Sequence, residues 1–250
     1  MLSTFFHVFF YNPIYNALVA IVAFVPGGDV GVAVILLTIL IRLILLPFTL
    51  SAARTQRAMK EAEPHLKAIK EKHQGDKEKE AMETLALYRE RKINPFSGIL
   101  TAFIQIPVLL ALYWVFRYEH LTTLDSARLY AFTPVPAHVS LMFLGIVSVS
   151  AASILLAVLA GGTQYLQAHL ALSGTAKPAE GEGGMQDFQR LMGTQMKFVF
   201  PILIGVISYS AGAAVALYFI TTNLVGSLQE LYVRKKIGIA VPAISESQSE

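Results

Sequence analysis

The chain has 250 residues, 54% of them hydrophobic and only 15% charged, with a net charge of +3 and a mean hydropathy of +0.55. That composition leaves too little polar surface to cover a soluble domain, so the useful unit is the membrane span. There is no cysteine, which excludes disulfides, thiolate metal sites, cysteine nucleophiles and a lipid-modified N-terminal cysteine.

Residues 1–29 form the first segment. Its first 28 residues carry no Lys, Arg, Asp or Glu. A secretory signal starts with a basic region, so this N-terminus is expected to be retained. Phe5, Phe6, Phe9, Phe10, Tyr11, Ile14 and Tyr15 suit a membrane–water interface. Pro13 to Val25 is expected to form an interfacial helix, with Pro26-Gly27-Gly28-Asp29 turning into the first span. The competing reading is an extra span starting near Phe5, which Asn12-Pro13 and Asn16 interrupt.

The first span is read over residues 30–50, whose only charge is Arg42; its length is roughly 31 Å, one hydrocarbon core. Residues 51–92 are polar and helix-like. Met59, Ala62, Leu66 and Ile69 follow helical spacing, as do Met82, Leu85 and Ala86. His73-Gln74-Gly75-Asp76 reads as the turn of an antiparallel hairpin, and Pro64 is expected to kink its first helix. Spans follow over 93–116 and 139–160, separated by a loop over 117–138. A flexible loop over 161–190 leads to spans over 191–208 and 212–231, divided by a turn at Tyr209-Ser210-Ala211-Gly212. Residues 232–250 are a tail. No internal repeat supports an inverted-repeat transporter.

Charge asymmetry orients these elements. Residues 51–92 hold 11 of the 20 Lys and Arg residues, the 117–138 loop holds two, and Arg234, Lys235 and Lys236 follow the last span. Positive segments stay cytoplasmic. Five spans place both the hairpin and the tail inside and the N-terminus outside, in a bacterial-type cytoplasmic membrane. The expected fold is thus an all-α integral membrane protein, five transmembrane helices with a cytoplasmic helical hairpin.

Arg42 is the sharpest chemical feature. Leu50 lies about 12 Å further along a straight helix, beyond the reach of an arginine side chain. A charge at that depth costs on the order of 3 kcal/mol. No Asp or Glu lies in the spans over 30–50, 93–116, 139–160 and 191–208, so a water-filled groove is favoured over a buried ion pair. Thr38 lies one turn before Arg42 on the same face, and Thr49 two turns after it. Gln105, Ser148, Ser150, Ser153, Thr221, Thr222 and Asn223 could line the same groove or merely pack helices. Walker and dinucleotide motifs are missing, as are paired His or carboxylate ligands and Ser/His or Ser/Lys pairs at one depth. No enzymatic activity, metal or cofactor is expected. The hairpin's eight acidic residues also argue against a DNA-binding patch.

The order of motifs resembles the YidC/Oxa insertase family. Tyr11-Asn12-Pro13-Ile14-Tyr15-Asn16 precedes the span with Arg42, which ends Leu45-Leu46-Pro47-Phe48-Thr49-Leu50. After the hairpin come Tyr88, Asn94-Pro95, Ile104-Gln105-Ile106-Pro107 and Ala111-Leu112-Tyr113, then Gln195-Met196-Lys197-Phe198, Pro201 and Ala216-Leu217-Tyr218 with Asn223 and Gln229. Departures are Ser210-Ala211-Gly212 in place of a Pro-Ala-Gly turn, Phe219 where tryptophan is common, and no glutamine within the third span.

The resemblance implies a five-helix core with a hydrophilic groove and Arg42 as its arginine. The chain is expected to be a minimal version, with no large extracytoplasmic domain before the first span. The resemblance places Thr38, Gln105, Tyr218, Phe219 and Asn223 beside Arg42. The charged hairpin itself has two readings: a solvated face that only orients the protein, or a docking arm for nascent chains through Met59, Pro64, Leu66, Met82 and Leu85. The partners that the resemblance implies are nascent membrane proteins, the ribosome, the Sec translocon and the lipid bilayer. Two other classes compete: a small transporter or channel with Arg42 as an anion site, and a scaffold for Sec-type subunits that inserts nothing itself.

Overall fold

The computed structural model describes residues 2–73, 75–93, 97–118, 124–172 and 195–237. Helices dominate. They are α1 (Leu2–Phe6), α2 (Asn12–Phe24), α3 (Val30–Ile44), α4 (Leu46–Lys72), α5 (Lys77–Glu90), α6 (Ser97–Tyr118), α7 (Ile154–Leu172), α8 (Phe200–Ala211) and α9 (Ala213–Ile237). The one sheet among the described residues pairs β1 (Met142–Phe143) with β2 (Val147–Ser148).

The surface is inverted relative to a soluble protein. Leu43, Ile44, Ile106, Ile154, Leu155, Val158, Ile202 and Val206 are exposed, while Asn16, Thr38, Ser208 and Asn223 are buried. Contiguous exposed apolar faces of this kind suit lipid. Among the described residues, Thr4–Phe24 and Ile154–Ala171 are each long and apolar enough to cross a membrane. Val30–Ile44 with Leu46–Met59, bent by 57°, makes a third if the pair is one span. Gln105–Phe116 and Lys197–Ala211 are shorter apolar helices.

The break expected at Asn12-Pro13 does not occur. A π-helical turn, His7–Tyr11, joins α1 to α2 without interruption. A wider turn takes up the missing proline N–H without ending the helix. The helix then ends at Val25, and Asp29 caps α3 by accepting from Val32 N at 3.0 Å.

The first span is not straight. Leu45, with φ −82° and ψ −5°, caps α3 and separates it from α4, whose second residue is Pro47. The proline can give no N–H to the ladder, so the chain bends there. Its other proline behaves differently: α4 continues through Pro64. The hairpin has its own small core of Ala62, Leu87 and Ile93, against which Ala58, Met59, Leu66, Ile69 and Tyr88 pack. At its turn, Asp76 Oδ1 accepts from Lys79 N, and Glu83 takes Lys72 Nζ at 2.9 Å as well as His73.

The third helix departs most from expectation. Instead of running over 139–160, it starts at Ile154 and continues to Leu172. Residues 139–153 fold as the β1–β2 hairpin and its flanks. Hydropathy alone cannot separate such a segment from a helix. Here the backbone is drawn into other bonds: Val30 N donates to Ser140 O at 3.0 Å and Ser140 N to Gly28 O at 2.9 Å. Ser153 begins the helix, its carbonyl accepting from Ala157 N at 2.9 Å.

The α8–α9 break falls at Gly212, whose φ of 99° favours glycine, and whose missing Cβ would stand 3.2 Å from Ser150 O. From there α9 runs through the centre of the bundle, packed on α3, α7 and α8. Ala213, Ala214, Val215 and Ala216 are all buried at its start. Residues 94–96, 119–123, 173–194 and 238–250 lie outside the described residues, and with them most of the expected 161–190 loop and the tail.

Candidate substrate cleft

Arg42 sits in the last turn of α3, one residue-triplet before the Leu45 bend. Its position is therefore near the end of a straight helix of about 22 Å, shorter than a hydrocarbon core. Snorkelling was excluded on the assumption of a straight helix to Leu50, and the bend removes that assumption. What isolates Arg42 is its surroundings. Its Nε is buried without a hydrogen-bond partner among the described residues.

The guanidinium opens on a cleft of about 190 Å³ between the α3–α4 bend, α7 and α9. Thr49, Gln167, Gly226, Gln229 and Glu230 contribute to its walls. Thr49 Oγ1 donates to Leu46 O at 3.0 Å, which leaves its lone pairs free to accept. Gln167 lies across Gly226: a Cβ built there would stand 2.3 Å from Gln167 Nε2. Glu230 corrects the expectation that no carboxylate shares this region. It belongs to the α9 wall. The cleft thus presents both signs of charge with amides and a hydroxyl between them.

Of the other sequence-named residues, Tyr218 on α9 is near enough to Arg42 for the two side chains to interact electrostatically, and the rest do not line the cleft. Thr38 is buried and donates back to Val34 O at 2.7 Å. Gln105 Nε2 donates to Tyr218 Oη, joining α6 to α9. The Tyr218 ring meets Phe219 edge-on at 5.4 Å. Asn223 Nδ2 donates to Ala160 O at 3.3 Å and Thr163 Oγ1 at 3.2 Å, joining α9 to α7. Along α3 and α9 these residues precede the cleft and make a buried, hydrogen-bonded polar floor on the side of the β-hairpin. Ser148, Ser150 and Ser153 lie beyond that floor, in or beside the β-hairpin. Of the hairpin residues, Met59 and Leu66 pack into the hairpin's own core, while Pro64, Met82 and Leu85 are exposed.

Gln167, Gly226, Gln229 and Glu230 were not among the expected site residues. A signal was present: Gly226, Gln229, Glu230 and Val233 repeat at i, i+3, i+4 and i+7, one helical face.

The family model described as 60Kd inner membrane protein matches residues 21–239. A membrane protein insertase YidC from Fusobacterium nucleatum is 34% identical, the alignment covering 89% of this chain and 98% of that protein. Proteins of the same name from Clostridium perfringens and Clostridium tetani are 31% and 30% identical, covering 89% and 84% of this chain and 86% and 84% of theirs. An α-helical membrane protein that matches the family model along most of its length, and these relatives nearly end to end, belongs to the YidC family of the 60Kd inner membrane proteins.

Proposed function

We propose that the chain inserts membrane proteins by lending a short polar segment a place to stand while the adjoining apolar segment enters lipid. One observation carries this reading: a cleft at the α3–α4 bend holds a half-buried arginine with an unpartnered Nε, beside the exposed apolar faces of the helices. The insertase names of the relatives agree with it.

In this mechanism an apolar substrate segment slides along those exposed faces. Its polar tail enters the cleft, where Arg42, Thr49, Gln167 and Gln229 replace water. Each unpaired polar group otherwise costs several kcal/mol, typically about 2–7, to desolvate. Partition of the apolar segment, worth about 25 cal/mol per Å² buried, then draws the tail across. The short straight part of α3 and the polar floor thin the remaining barrier. No chemical energy source in the chain is required.

The five-span arrangement, with the N-terminus outside and the charged hairpin and tail inside, belongs to the same proposal. So does docking of nascent chains on Met82, Leu85 and Pro64, with the ribosome and a Sec translocon as further partners.

The test is reconstitution of the purified protein alone into vesicles with a single-span substrate, scored by protease protection. Wild type should insert it, which a passive scaffold cannot do. Arg42→Lys should retain most activity, and Arg42→Ala should lose it, most severely for acidic tails. Arg42→Ala should melt no lower than wild type, because it removes a guanidinium whose buried Nε has no hydrogen-bond partner among the described residues. A variant that melts far lower yet still inserts substrate would make Arg42 structural and overturn the mechanism.

A further inference from the structure

The segment that replaces the start of the expected third span has an unusual surface. From Leu129 to Ala176 the sequence holds no Lys, Arg, Asp or Glu. Its non-helical part nevertheless exposes large apolar side chains: Phe132 83%, Val135 65%, Leu144 62% and Ile146 78%. Tight hairpin turns in water favour Asn-Gly or Asp-Gly. This one places Leu144 at φ 50° and Gly145 at φ 71°. A leucine there is strained and exposed at once, which makes no sense for a tip that faces water.

The backbone, by contrast, is prepared for an apolar setting. Leu144 N donates to Asp29 Oδ2 at 2.7 Å, Ile146 N to Phe143 O at 2.9 Å and Val149 N to Leu141 O at 2.8 Å. Pairing across β1 and β2 engages the strands between. Buried or lipid-facing backbone must be satisfied internally, and this tip largely is. The hairpin is also held in place. Asp29 ties it to the start of α3, and Ala214 N donates to Val149 O at 2.8 Å, tying it to the start of α9. At Ile154 the chain continues into α7, whose Leu155 and Val158 present an exposed apolar face. The exposed hairpin is therefore continuous with a lipid-suited surface, at the end of α3 away from the charged hairpin.

We propose that the β1–β2 tip, with the Phe132–Val135 loop, is an interfacial anchor seated among the headgroups and first acyl carbons of that leaflet. Its occupant is lipid. The anchor fixes the depth of α3, and hence of the bend below Arg42, without adding a span.

The absence of cysteine makes the test direct. An environment-sensitive fluorophore is placed on Ile146→Cys in the full chain, reconstituted in phosphatidylethanolamine–phosphatidylglycerol vesicles. Gly75→Cys on the charged hairpin is the aqueous control. Emission from Ile146 should be blue-shifted, little quenched by iodide, and quenched more by lipids brominated near the glycerol than near the chain end. A label at Phe132→Cys should behave likewise, and covers the case in which a label at the tip distorts the turn. If both labels are quenched by iodide as strongly as the one at Gly75, the anchor does not exist. If they are shielded in native membranes but iodide-accessible in the purified vesicles, a protein covers the tip and the proposal is equally overturned.

Discussion

Gly226 contributes to the cleft by having no side chain. The Gln167 amide occupies the space a Cβ would take, at 2.3 Å from it. The clashing atom is the far end of a flexible side chain, so Gly226→Ala should move Gln167 and leave α9 in place. Alanine also favours a helix over glycine by about 1 kcal/mol. The expected outcome is a melting temperature in detergent equal to or slightly above wild type, together with a severalfold loss of insertion in the vesicle assay. Gly226→Leu should lose more, as it fills the cleft beside Arg42. Undiminished insertion by Gly226→Leu would show that substrates do not use this cleft. The same position explains why part of the site was hard to read. Arg42 stands out because a charge inside an apolar run is costly and visible. Gly226 and Gln167 matter through a contact between two helices, and no one-dimensional pattern reports which helices touch.

At the scale of elements, the two prolines show how sequence and structure part. Pro47 and Pro64 read alike, but α4 begins at the first and passes through the second. The difference is what surrounds them: at Pro47 the ladder ends at Leu45, whereas Pro64 lies exposed on the polar part of α4, beside the hairpin core. The charged hairpin was legible because 3.6-residue spacing over two polar helices has few other readings. The third span was not, since an apolar run satisfies a lipid-facing helix and a clamped interfacial hairpin equally. Asp29 decided between them by accepting from Leu144 N, a contact 115 residues apart in sequence. The hairpin turn also carries a pH prediction. Hydrogen bonds from Lys72 and His73 hold the Glu83 carboxyl below the usual glutamate range. A depressed folded value means that its contribution is present above the unfolded value of about 4.3 and lost as pH falls through the folded one. Because Glu83 is exposed, the effect is local and small. A spin label at Lys77 should gain mobility only as pH drops below about 4.3, the unfolded glutamate value. Glu83→Gln should show that mobility at neutral pH and lack the acid step. A step of equal size in Glu83→Gln would assign it to another group.

For the whole molecule, the decisive question is how the N-terminal helix lies. By length and composition Thr4–Phe24 could cross the membrane. Its contacts argue otherwise. The Phe6 ring meets Trp114 at 4.9 Å, and Trp114 is in the last turns of α6, next to the 119–138 connection. Further along, Tyr15 Oη accepts from Asp125 N at 3.2 Å. Asn16 Nδ2 donates to Arg128 O at 2.9 Å, and its Oδ1 accepts from Tyr130 N at 2.7 Å. Phe24 precedes the turn into α3 at the same end. A crossing helix of this length would separate its ends by about 30 Å, one hydrocarbon core. Here the start, middle and end of the helix all meet elements at the end of the bundle opposite the charged hairpin. That geometry fits a helix lying along the surface, with its buried Tyr11, Tyr15, Leu18 and Val22 turned to the bundle. Single cysteines read this out in intact cells with a membrane-impermeant reagent. Thr4→Cys and Asp125→Cys should label from outside, and Gly75→Cys and Gly183→Cys only after the membrane is opened. If Thr4 labels only from the cytoplasm, the N-terminal helix is a sixth crossing. If Gly183 labels from outside, the 139–172 region does not span, and the topology needs a different number of crossings.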